Sequence, residues 1–80
     1  MNDLTNADLA VLERLNKAGA ATLTDLAVRL RDLPETVEPK LKKFVGNGFV
    51  EVKNIGGKFD GELYRVSDKG RKVLRLLQTF

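Results

Sequence analysis

Apolar positions recur along this chain with two different periods. From Thr5 to Ala18 they fall three and four residues apart: Leu9, Val11, Leu12, Leu15 and Ala18 form one broad face, and Glu13, Arg14 and Lys17 lie on the other. This predicts a first helix over about 5–18. Thr5-x-x-Asp8 approximates a capping box, Leu4 and Leu9 are placed as a hydrophobic staple, and Gly19 is placed to end the helix. Ala20 and Ala21 suit a short extended segment. The same signature restarts at Thr22-x-x-Asp25, ahead of a helix over about 23–31 whose inward residues are Leu23, Leu26, Ala27 and Leu30. Asp32-x-x-Glu35 with Pro34 then marks a third helix, about 34–46, with Val37, Leu41, Phe44 and Gly48 at i, i+4, i+7 and i+11.

The connection between the second and third helices is only Arg31 to Leu33, so the two must cross steeply, which is helix-turn-helix spacing. Pro39 lacks a backbone N–H and crowds the preceding turn. Either the third helix starts near Pro34 and is distorted locally, or it starts at Thr36 and Pro39 falls in its first turn. Gly46-Asn47-Gly48 offers a left-handed exit.

Beyond it the period shortens. Phe49 to Lys53 and Glu62 to Val66 read as paired strands, a hairpin over about 49–66. Its tip, Asn54 to Gly61, holds two usable turn dipeptides, Gly56-Gly57 and Asp60-Gly61, so the register stays open. Ser67 caps a last helix over about 68–79. There Val73, Leu76, Leu77 and Phe80 form a stripe with Leu74 at its margin, opposite Arg71, Lys72 and Arg75.

Eighty residues with 42% hydrophobic content make one domain, 1–80, near the lower end of comfortable single-core size. The fold class expected is α+β. The absence of Cys and His removes disulfides, thiol redox chemistry, imidazole catalysis and the common zinc sites. Ser67 has no base at motif spacing and Gly56-Gly57 lacks the context of a phosphate loop, so neither an enzyme nor a cofactor is implied. With no apolar run of about 18 residues and a polar N-terminus, the expectation is a cytoplasmic protein away from membranes.

Charge is distributed unevenly. Residues 1–33 carry 4 basic and 5 acidic groups, whereas residues 34–80 carry 10 basic and 6 acidic. With a pI near 9.5, that asymmetry suggests a polyanionic partner.

The strings "LTNADLAVLERLNKAG", "LTDLAVRL", "TVEPKLKKFVGNGFVEV" and above all "YRVSDKGRKVLRLL" resemble segments of MarR-like and PadR-like transcriptional regulators, from about Leu4 to Leu77. The resemblance implies a winged helix-turn-helix: a third helix in the DNA major groove, a hairpin wing on backbone or minor groove, and flanking helices forming a homodimer. Carried over, the positions facing DNA are Glu35, Thr36, Glu38, Pro39, Lys42 and Lys43. Glu38 and Pro39 depart from the family pattern, standing where a small polar residue and often an arginine would be. A carboxylate there repels phosphate, although it can accept from cytosine N4.

The DNA-contact set expected from these considerations is Thr36, Lys40, Lys42 and Lys43 on the third helix with Lys53, Lys58 and Arg65 on the wing. The competing reading of the lysines is a solvated face with Glu38 and Lys42 as an i,i+4 pair. Thr36 either contacts DNA or caps its own helix, and Phe59 either wedges against a partner or folds over the hairpin. Leu74, Leu77 and Phe80 are the expected homodimer contacts. Double-stranded DNA is the leading partner, and a protein partner for a winged-helix interaction module is the alternative.

Overall fold

The computed structural model describes residues 5–56 and 61–78. Leu4, Gly57, Lys58, Phe59, Asp60 and Phe80, named above, lie outside them. The order of elements is α1 (Asn6–Ala18), α2 (Leu23–Leu30), α3 (Pro34–Gly46), β1 (Val50–Asn54), β2 (Glu62–Val66) and α4 (Asp68–Gln78).

Local chemistry sets most of the boundaries. The Thr5 hydroxyl accepts from the Asp8 N–H at 3.1 Å and the Asp8 carboxylate accepts from the Thr5 N–H at 3.2 Å, a reciprocal capping box. Thr22 repeats half of it, accepting from the Asp25 N–H at 3.2 Å. The Asp25 carboxylate instead accepts from Arg29 Nε one turn on. At α3 the Asp32-x-x-Glu35 start signal makes no capping box. Leu33 is the N-cap and makes no side-chain cap bond, while Asp32 accepts from the adjacent Leu33 N–H. Pro34 opens the helix where its missing N–H has no consequence. Pro39 therefore lies inside α3, where it deprives the Glu35 carbonyl of its helical donor.

Helix exits use left-handed residues. Gly48 has φ 80°, and the Phe49 N–H returns to the Phe44 carbonyl at 2.9 Å, which turns the chain from α3 straight into β1. At the end of α2 the same role falls to Arg31, φ 56°, with the Asp32 N–H bonded to the Ala27 carbonyl at 3.0 Å.

The hairpin pairs antiparallel with Val50 opposite Val66, Val52 opposite Tyr64 and Asn54 opposite Glu62. Strand β1 thus begins at Val50, one residue later than the pattern suggests. Ala21 exchanges both backbone bonds with Tyr64, at 3.0 and 2.8 Å, and adds a one-residue third strand along β2. Alternation sends Val50, Tyr64 and Val66 inward. They join Val11, Leu12 and Leu15 of α1, Leu26 and Ala27 of α2, Val37, Leu41 and Phe44 of α3 and Leu74 of α4 in one buried cluster. Each fully buried aliphatic or phenylalanine side chain contributes about 1.5–3 kcal/mol.

Helix α4 departs from the stripe expected for it. Leu74 is its core residue, 4% exposed, while Leu76 is 65% and Leu77 44% exposed. The cause is the junction before it. The Ser67 hydroxyl donates to the Gly48 carbonyl at 2.6 Å and accepts from the Gly70 N–H at 3.1 Å, and the Ser67 N–H bonds the Phe49 carbonyl at 2.9 Å. These bonds fix the rotation of α4 about its axis and bring Gly70 onto the backbone of Phe49.

Candidate nucleic-acid interface

Helix α3 is held by the buried Val37, Leu41 and Phe44, and at about 100° per residue this leaves an outward ridge of Glu35, Pro39, Lys42 and Gly46. The two flanks of that ridge have different neighbours. Lys43 turns toward α1, where its ammonium meets the Asp8 carboxylate at 3.3 Å. Glu38, Lys42 and Val45 turn toward the hairpin: Lys42 and Val45 line a cleft of about 180 Å3 with Val52, Glu62 and Tyr64, and the charge of Glu38 reaches the Tyr64 phenol.

Three of the cations expected to meet phosphate, Lys42, Lys43 and Arg65, are already engaged with carboxylates. Lys42 lies 3.5 Å from Glu38, and Arg65 donates through Nη2 and Nε to Glu51 at 2.9 and 3.1 Å across the hairpin. Both pairs are exposed, so each is worth no more than about 1 kcal/mol and yields readily to a stronger anion. The Lys43 pair differs because Asp8 is 6% exposed. Burial pushes the Asp8 carboxyl up, but the Thr5 N–H, the bond and charge of Lys43 and the Thr5 hydroxyl together outweigh it and hold the group below its ordinary value. Lys43 is thus a tether between α3 and the first turn of α1 as much as a surface charge.

Thr36 is exposed on the first turns of α3 and is not its N-cap, which removes the capping alternative. Lys40 is half-buried and Lys53 is exposed on the outer face of β1. Of the three expected dimer contacts, Leu74 belongs to the chain's own core and is unavailable to a second copy. Leu77 remains half-exposed, lining a groove between α1 and α4 with Asn6, Leu9, Glu13 and Leu74. Exposed Leu76 lies next to it in α4.

Tyr64, Glu62 and Asp8 were not singled out as part of this surface by the sequence. The Tyr64 phenol donates to Glu62 at 3.0 Å. Burial first, then the bond and charge of Glu62 and the charge of Glu38, push it up to about 12. Nothing local marks Asp8 as the partner of a lysine 35 positions away. Among the described residues no group of three or more metal-ligating side chains occurs, and no described helix is long and apolar enough to cross a membrane.

Two helices joined by the short Arg31–Leu33 connection, a hairpin running directly out of α3 and a last helix packed on α1 and β2 define an α+β winged helix-turn-helix. Comparison with solved structures places that fold with MarR. A mutant MarR from E. coli superposes with a TM-score of 0.83 at 23% identity, over 92% of this chain and 54% of that one. RV1404 from Mycobacterium tuberculosis gives 0.81 at 22%, over 91% and 50%. A mutant E. coli MarR complexed with operator DNA gives 0.82 at 23%, over 92% and 53%. At such identities the likeness is one of fold, and the chain spans about half the length of these structures. No protein-family model and no curated protein matches the chain.

Proposed function

We propose that this chain is the DNA-binding part of a transcriptional regulator, with α3 in the major groove and the hairpin on the flanking backbone. The observation that carries the reading is the disposition of α3. Its Val37, Leu41 and Phe44 are buried in the core, its outward ridge is exposed, and the hairpin stands beside it across a shared cleft. A neighbour of the same fold was solved with operator DNA, which supports the reading by analogy. The chain acts by binding rather than catalysis, needs no cofactor and works in the cytoplasm. It pairs as a homodimer through Leu76 and Leu77 beside the α1–α4 groove.

Fluorescence anisotropy with mixed-sequence duplex DNA tests it. Wild type binds at about 50 mM salt and weakens steeply by about 200 mM, as release of counterions demands. Lys42→Glu with Lys53→Glu weakens binding about tenfold or more and flattens the salt dependence. These two sites are chosen because Lys43→Glu would set a second carboxylate against Asp8 and disturb the fold. No binding at low salt, or binding indifferent to the charge reversal, would overturn the reading. For the dimer, sedimentation of wild type against Leu77→Asp decides: a wild-type monomer at high micromolar concentration removes it.

One observation favours a second reading, a winged-helix module that binds a protein. Lys42, Lys43 and Arg65 each face a carboxylate, which leaves the α3–hairpin surface mixed in charge rather than uniformly positive. The anisotropy experiment separates the two.

A further inference from the structure

We propose that Glu38 and Lys42 act as one unit that reads a single G·C base pair, an inference that rests on the DNA-binding reading above. The problem it solves is Glu38 itself. A carboxylate on the recognition helix is repelled by every phosphate, and burying it against DNA without a donor costs more than it returns. Within the major groove the exposed base donors are the amino groups of cytosine N4 and adenine N6. Where Glu38 reaches the base edges, one of these amino groups is the partner it can accept from.

The geometry of the pair decides which. Lys42 Nζ and Glu38 Oε2 stand 3.5 Å apart on successive turns of α3, each at least 45% exposed, so a donor and an acceptor are presented side by side. A G·C pair offers the matching array, guanine N7 and O6 as acceptors beside the cytosine N4 donor. The ammonium takes the two guanine acceptors and the carboxylate takes the N4 hydrogen. An A·T pair places its one donor, adenine N6, between acceptors and ends in the thymine methyl group, so a carboxylate reaching N6 also faces thymine O4.

The surroundings hold the unit in this role. Glu62, fixed by the Tyr64 hydroxyl at 3.0 Å, adds a second negative charge on the hairpin side of Lys42. That flank of α3 is thereby unfavourable to phosphate, and backbone contacts fall to the flank carrying Lys40 and Lys43 and to Lys53 on the wing. Breaking the Glu38–Lys42 pair costs little, because both side chains are in water before DNA arrives. Each then meets a neutral edge of the base pair, Lys42 the guanine acceptors and Glu38 the cytosine amino group.

Selection from a randomised duplex library, run with wild type, Glu38→Gln and Lys42→Met at one salt concentration, tests the assignment. Thermal unfolding of each variant confirms that the fold is kept. Wild type should enrich sites with a fixed G·C position. Glu38→Gln, whose amide both donates and accepts, should relax the preference at that position by about tenfold or more while binding unselected duplex more tightly than wild type. Lys42→Met should lose the guanine preference at the same position. An enriched motif that is the same for wild type and Glu38→Gln overturns this inference alone. Failure of wild type to bind any duplex overturns it together with the proposed function.

Discussion

Substituting Gly70 by alanine should be among the most damaging small changes available in this chain. A Cβ built there would stand 2.2 Å from the Phe49 carbonyl oxygen, 2.7 Å from Val66 Cγ1 and 3.1 Å from the Phe49 carbonyl carbon. Carbon and oxygen do not approach closer than about 3 Å without displacement, and the nearest atom is backbone, which cannot swing aside as a side chain can. Helix α4 or the start of β1 must move by most of an ångström. Overpacking of this kind costs about 1–3 kcal/mol. The same Phe49 carbonyl accepts the Ser67 N–H at 2.9 Å, and disturbing that bond adds about 1 kcal/mol. Alanine's better helix propensity returns about 1 kcal/mol. The balance is a loss of about 1–3 kcal/mol, or roughly 5–20 °C in a domain of this size. Urea and thermal unfolding followed by circular dichroism measure it, with Lys72→Ala in the same helix as the control. A Gly70→Ala protein within about 0.5 kcal/mol of wild type would refute the packing argument. The loss reaches α3 as well, because Phe49 and Gly48 are its exit and any shift there tilts α3 against the hairpin.

Two further predictions concern protons, beside the charge-reversal, dimer and base-reading tests above. The Asp8 carboxyl titrates below its unfolded value of 3.8, so its stabilisation is fully present above that pH and is lost as pH falls through the depressed folded-state value. Asp8→Asn should lower stability by roughly 1 kcal/mol near neutrality, and melting curves of the two proteins should converge as the buffer is taken into the acid range. Tyr64 runs the other way. Its phenol is pushed up from 10.0 to about 12, so stability is unchanged below pH 10 and falls as pH rises from 10 to about 12. Absorbance near the phenolate band should show a midpoint close to 12 in the native protein, and a midpoint near 10 without unfolding would contradict the burial of the ring.

What the amino-acid order determined by itself is the set of elements and their succession. Capping residues, glycine exits and the change of apolar period are local properties, each readable within a turn or two, and together they place four helices and a hairpin in winged-helix order. The inward residues Val11, Leu12, Leu15, Val37, Leu41 and Phe44 were legible for the same reason, since periodicity on a helix maps directly to a face. The basic appearance of the "EPKLKKF" segment was legible too, but its meaning was not. Which carboxylate faces which lysine depends on how α1 and the hairpin pack beside α3. Only the tertiary structure puts Asp8 against Lys43 and Glu51 against Arg65.

Rotation of α4 was likewise undecidable from its stripe, because Leu74, Leu76 and Leu77 are chemically equivalent. Bonds from Ser67 to Gly48 and Phe49, nineteen and eighteen residues earlier in the chain, choose Leu74 for the core. Local sequence sets where an element begins and what its faces are made of. Which face meets which neighbour is settled by contacts between segments far apart in the chain, and the charges on α3 acquire their role only there.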